Sequence, residues 1–224
     1  MSNDASGFFR ESYNDIGKEM MKTKTIIKSD LPEGQAGNWR IEKFEITPGD
    51  AEFANMRAMV VAIQGGGHRP VEAGTYTRLM RGGTVVMSDT PAEVSDLKYI
   101  EWRAKGNVII GGLGMGMAVE IALSKPEVDH VTVIEISPDV ISLVAGHFTA
   151  KYGDRLAVIE GDIMTWKPKR GTKYDYAWFD IWDDICTDNL DEMDILKRRY
   201  KRRGAVVDFW AYGDHLRAVR RWGR

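Results

Sequence analysis

Apolar residues in the second half of the chain fall into short β-branched and aromatic runs separated by stretches with helical spacing. Residues 107–111, 131–136, 156–159, 174–181 and 205–210 form such runs, bounded by glycine, proline or charged residues, and predict five strands. Between and after them, residues 115–123, 138–152, 189–200 and 214–222 place apolar side chains three and four apart and predict helices. Strands that alternate with helices over short connections pair in parallel, because a parallel partner needs a crossover. The pattern therefore predicts an α/β fold, a Rossmann-like doubly wound parallel sheet with helices on both faces, over residues 106–224.

The first half has a different texture. Residues 6–22 put Phe9, Tyr13, Ile16 and Met20 on one helical face. Two strands, 25–28 and 39–46, flank a Pro/Gly-rich segment, and a helix from an Asp50 cap to about Gln64 ends at three glycines. A hairpin follows, 75–80 and 84–87 around Arg81-Gly82-Gly83, then a helix over 91–104 capped by Ser88 or Asp89. Residues 1–105 are thus read as an N-terminal α+β extension with β-hairpins.

Composition narrows the setting. A single cysteine, Cys186, excludes an intrachain disulfide framework and a multi-cysteine metal site, and fits a reducing compartment. No apolar run has the length of a membrane span, and residues 1–7 lack the apolar core of a signal peptide, so the expected location is cytoplasmic, away from membranes. The net charge of −2 hides an asymmetry: residues 197–224 hold ten Lys/Arg against Asp208 and Asp214, a net of +8, which leaves −10 for the rest. Such a cluster can touch phosphates or simply complement the end of a helix. Without a reading motif it does not make nucleic acid an expected partner. The four histidines show no metal spacing; His68, before Arg69-Pro70 in a glycine-rich loop, is the one candidate for function.

The chemistry concentrates at the strand ends. Gly111-Gly112-Leu113-Gly114-Met115-Gly116 joins the first strand of the α/β region to a helix, an arrangement that lets backbone approach a ligand. Glu135 ends the second strand about twenty residues past Gly114, where a carboxylate can accept from two ribose hydroxyls. A nicotinamide dinucleotide would use the same pair, but its pattern wants Gly or Ala at the position of Met117. Gly161-Asp162 follows the third strand, where an acid can accept from an adenine amino group, and Asp180 ends the fourth.

Gly112-Leu113-Gly114-Met115-Gly116, Glu135, Gly161-Asp162 and Asp180 resemble the ordered motifs of class I S-adenosylmethionine-dependent methyltransferases. The resemblance covers roughly residues 85–210. Its Ile-Ile-Gly-Gly strand end and Val-Glu-Ile-type second strand are similar to the spermidine-synthase-like branch, and the whole chain is similar to methyltransferase-like proteins of phages and bacteria. It implies S-adenosylmethionine, or its decarboxylated form, held by Gly112, Leu113, Gly114, Gly116, Glu135, Ile136, Asp162, Ile163 and Asp180. It implies Asp180 and Asp183 as catalytic acids, and Asp89, Glu93 and Trp182 as acceptor contacts. The activity implied is methyl transfer to a small-molecule or protein acceptor. Aminopropyl transfer and a non-catalytic nucleoside-binding or assembly role stand as alternatives.

The chain departs from these patterns in places. It has Asp89-Thr90-Pro91-Ala92-Glu93 where spermidine synthases carry an Asp-Glu…Tyr-His-Glu run. Asp180-Ile181-Trp182-Asp183 with Asp208 resembles the magnesium-binding segment of catechol methyltransferases, but Phe209 stands where they have Asn; no metal is expected. The Asn/Asp-Pro-Pro-Tyr signature of base methylation is absent after the fourth strand. The family's usual C-terminal antiparallel strands are missing, so the sheet is expected to be truncated or covered by N-terminal strands such as 39–46. An uncovered edge invites association, and a homodimer is the corresponding expectation.

Overall fold

The structure, a computed structural model, describes residues 28–63, 70–184 and 186–213. The expected elements at 6–22 and 214–222, most of the expected strand 25–28, and His68 lie outside them.

Five parallel strands occupy the C-terminal half: β5 (Gly106–Gly111), β6 (Val128–Glu135), β7 (Leu156–Glu160), β8 (Tyr176–Phe179) and β9 (Val206–Phe209). Their order is β7-β6-β5-β8-β9, so the winding reverses between β5 and β8. Alternation along the strands sorts side chains to two faces. Val108, Ile110, Val133, Tyr176 and Trp178 pack in one core with helices α4 (Met117–Leu123) and α5 (Pro138–Tyr152). Ile109, Ile134, Ala177, Phe179 and Phe209 pack in the other with Leu190, Met193, Leu196 and Tyr200 of α6 (Asn189–Lys201). The fold is a Rossmann-like doubly wound sheet. Among the described residues β9 has no strand on its outer side.

The N-terminal strands do not cover that edge. β1 (Gly34–Ala36), β2 (Trp39–Ile46), β3 (Gly74–Arg81) and β4 (Thr84–Ser88) form a separate antiparallel sheet in chain order. It leans on α5, with Gly34 against Leu143, and sends Ile41 and Leu79 into the larger core. The Gly82-Gly83 turn has φ of +56° and +89°, the left-handed pair that a two-residue hairpin requires.

Local chemistry shifts three expected boundaries. Helix α1 (Pro48–Ile63) begins before Asp50 because Thr47 is its cap: the Asp50 amide donates to Thr47 Oγ1 at 3.2 Å, and Thr47 Oγ1–H donates to the Asp50 carboxylate at 2.7 Å. The expected helix over 91–104 is broken into α2 (Pro91–Val94), a 3₁₀ turn (Ser95–Leu97) and α3 (Lys98–Arg103). Neither Ser88 nor Asp89 caps it. Thr90 holds the cap position, and Ser88 binds Glu93 instead. Strand β8 is shorter than its apolar run, because β9 offers only four partners and Tyr174 sits before the ladder, bonded to the Arg203 carbonyl.

Candidate functional site at the switch point of the sheet

Backbone hydrogen bonds beyond the strand ladders tie the carboxyl ends of the strands together. The Gly112 amide donates to Ile134, the Gly161 amide to Glu135, the Asp180 amide to Gly111 and the Trp210 amide to Phe179. Open α/β sheets bind ligands at this edge, at the strand reversal. A cavity of about 900 Å³ lies here, bounded by Gly112 to Gly114, Glu135, Asp162 and Asp180. That volume is within the range of roughly 300–1,000 Å³ of small-molecule sites.

Glu135 is 7% exposed. Its Oε2 accepts from the Leu113 amide at 2.7 Å and its Oε1 from the Ser137 amide at 2.8 Å. The carboxylate therefore shapes the glycine loop, and each oxygen keeps a lone pair for a further donor. Ile136, beside it, lines the cavity with 68% of its surface exposed. At the end of the neighbouring strand Asp162 accepts from the Met164 amide at 2.8 Å, and Ile163 and Met164 line the wall. Apolar walls beside two carboxylates suit a purine nucleoside, which has faces to cover and donors at the ribose and the amino group.

Packing alone already requires the glycines. A Cβ on Gly112 would lie 2.2 Å from the Asp180 carbonyl oxygen, on Gly114 2.5 Å from Met87 Sδ, and on Gly116 2.0 Å from Phe148. Gly116 caps α4 and does not line the cavity, whereas Leu113 does. Met87, from the N-terminal sheet, also accepts from the Met115 amide at 3.2 Å. The extension thus forms one wall of the site.

The other end of the cavity is acidic and aromatic. Asp180 faces it, half-buried at the end of β8, beside Glu93 and Asp96. Burial, then the charges of Asp96 and Glu93, push the Asp180 carboxyl up to about 7. Trp39, Trp178, Trp182 and Trp210 also line the cavity. Trp182 is held by its indole N–H, which donates to Glu192 at 2.7 Å. Asp183 lies at the rim, paired with Arg81 at 2.5 Å, and Arg81 in turn stacks over Trp39.

Asp89 does not belong here. It is 2% exposed, away from the cavity, and its two oxygens accept from the amides of Ser29 and Thr77, each at 2.7 Å. It ties Ser29 to Thr77 of β3 and does not line the cavity. Glu93 does line the cavity, although both its oxygens accept from Ser88. Asp208 is also elsewhere: it pairs with Arg103 at 2.8 Å beside Tyr176, so it does not join Asp180 and Asp183. Among the described residues no three potential metal ligands cluster.

Sequence reasoning missed Arg199. From α6 its guanidinium donates to the Ile163 carbonyl at 2.8 Å and the Met164 carbonyl at 2.7 Å, fixing the segment that follows Asp162. Its position in a basic run gave no sign of this. Charged donors contribute about 1.5–3 kcal/mol per hydrogen bond, and every 1.4 kcal/mol is tenfold in affinity. Arg199→Lys, which cannot span both carbonyls, is expected to weaken S-adenosylhomocysteine binding roughly tenfold. Calorimetric titration checks this; an unchanged affinity would free the segment from the guanidinium.

No protein-family model matches the chain, and no curated protein matches it. Solved structures do. A dimethyladenosine transferase from Plasmodium falciparum is 20% identical over 52% of this chain and 40% of its own, with a TM-score of 0.38. The CcbJ methyltransferase from Streptomyces caelestis is 14% identical over 52% of this chain and 47% of its own, with a TM-score of 0.41. The N-methyltransferase NodS from Bradyrhizobium japonicum is 17% identical over 58% of this chain and 71% of its own, with a TM-score of 0.40. The chain spans less than half the length of the first two.

Proposed function

We propose that the chain is an S-adenosylmethionine-dependent methyltransferase whose acceptor is an amine. The observation that carries this reading is one switch-point cavity lined both by the strand-end acids Glu135 and Asp162 and by Glu93, Asp96, Asp180 and four tryptophans. Glu135 would take the ribose hydroxyls, Asp162 the adenine amino group, and Ile136 and Met164 the purine faces. The cofactor, when bound, supplies an electrophilic methyl on a sulfonium. Glu93, Asp96 and Asp180 favour a cationic acceptor, and the tryptophans offer it aromatic faces. An ammonium has no lone pair for attack, so a proton must leave first, and Asp180 would serve as the base that takes it.

The elevated Asp180 pKa makes this testable. Turnover with an amine acceptor is expected to rise with pH and level off above about 7, as the carboxylate forms. Asp180→Asn should lose most of the rate while retaining S-adenosylhomocysteine binding. A stability test needs no acceptor. An unfolded Asp ionises near 3.8 and the folded one near 7, so the native state holds the extra proton between those values. Stability from this group therefore falls as pH rises from about 4 to 7. Asp180→Asn is expected to raise the melting temperature at pH 8 relative to wild type and to give less gain at pH 4. A pH-independent difference would remove Asp180 from this role. Preference for the decarboxylated cofactor would shift the reading to aminopropyl transfer. Cofactor binding without turnover on any amine would support a non-catalytic protein.

A further inference from the structure

Away from the carboxyl edge, the loop before β8 and the last turns of α6 enclose a groove of about 610 Å³. Five of the eight residues lining it are cationic: Lys173, Arg198, Arg199, Arg202 and Arg203. Among the described residues no carboxylate lines it. Arg199 is fixed by the Ile163 and Met164 carbonyls and Arg203 by the Thr172 carbonyl at 3.0 Å, so neither is neutralised. Lys173, Arg198 and Arg202 are exposed.

Complementing the C-terminal end of α6 would account for some of these charges. That end carries about half a negative charge, and a cation there contributes roughly 0.3–1 kcal/mol. One or two cations suffice for it. Five exceed it, and Lys173 comes from a different element, brought in by the turn at Gly171 (φ +86°). Close cations repel one another unless an anion sits among them. We propose that this groove binds phosphate groups, two or more at a time. Arginine forks and a lysine match phosphate oxygens in number and geometry. The ligand is a polyphosphorylated small molecule or a nucleic-acid backbone, which share this chemistry.

The test uses the full chain, with sodium tripolyphosphate and a labelled single-stranded 12-mer oligonucleotide as probes at 50 and 200 mM salt. Tripolyphosphate should bind at low salt, and Arg198→Gln/Arg202→Gln should weaken it at least about tenfold. The melting temperature and S-adenosylhomocysteine affinity of the double variant should stay as in wild type, which separates this site from the cofactor cavity. Tighter binding of the oligonucleotide, with a logarithmic salt slope that falls by about 1.4 in the double variant, would identify a nucleic-acid backbone as the source. Tighter binding of tripolyphosphate would identify a small polyphosphorylated ligand. If neither probe binds at 50 mM salt, or if the double variant and Lys173→Gln bind both as wild type does, the proposal is overturned.

Discussion

Glu135→Ala is expected to weaken binding of S-adenosylhomocysteine by about a hundredfold or more. Two hydrogen bonds from ribose hydroxyls to a buried carboxylate contribute about 1.5–3 kcal/mol each, and every 1.4 kcal/mol is tenfold. The variant also strips the Leu113 and Ser137 amides of their acceptor, so the glycine loop loses its shape as well. A loss of affinity alone would therefore fit a purely structural carboxylate. The 2′-deoxy form of adenosine separates the two. Wild type should prefer adenosine over 2′-deoxyadenosine about tenfold. Glu135→Gln, which retains one acceptor oxygen, should lose that preference, whereas loop damage weakens both ligands equally. A preference that survives in the variant would take the ribose away from Glu135.

Gly112→Ala carries the second large effect, on the fold as much as on the site. Gly112 has φ +91°, and its added Cβ would lie 2.2 Å from the Asp180 carbonyl oxygen. That oxygen is backbone at the end of β8, and the Asp180 amide is bonded to Gly111, so relief requires β5 and β8 to part. A cost on the order of 3–5 kcal/mol is at the upper end for single substitutions. In a chain of this size that lowers the melting temperature by roughly 10 °C or more. Calorimetric melting should show it, together with loss of S-adenosylhomocysteine binding. Gly146→Ala is the internal control: it lies within α5, and nothing would stand within 4 Å of its Cβ. It should be neutral or stabilising by about 0.5–1 kcal/mol. Equal melting temperatures for the two variants would mean that the β5–β8 junction tolerates the extra carbon.

Much of the α/β region was legible in the chain because its signals are local. A period of two along 107–111 and 131–136, and a period near 3.6 along 138–152, each need only the residues concerned. The glycine loop and Glu135 were legible too, because the length of a strand-helix-strand unit sets their spacing. Gly112 and Gly114 line the cavity, and the structure adds a constraint that no local pattern carries: an Asp180 carbonyl, Met87 and Phe148 occupy the space of the missing side chains.

The acidic residues show where local reading ends. Asp89, Glu93 and Asp96 are close in sequence and share one chemistry. Asp89 is claimed by the amides of Ser29 and Thr77, sixty and twelve residues away, while Glu93 and Asp96 line the cavity. A carboxylate turns toward whichever buried amides would otherwise go unpaired, and those amides arrive from other elements. The same holds for Arg199, whose partners lie 36 and 35 residues upstream, and for Trp39 and Met87, which the N-terminal sheet carries to the cavity. Local pattern was enough for the strands and helices of the α/β region, their parallel pairing, and the glycine loop and strand-end acids Glu135 and Asp162. The tertiary structure alone decided which acids face the cavity and that the N-terminal sheet walls it, because long-range packing and hydrogen bonding of buried polar groups leave no local periodicity.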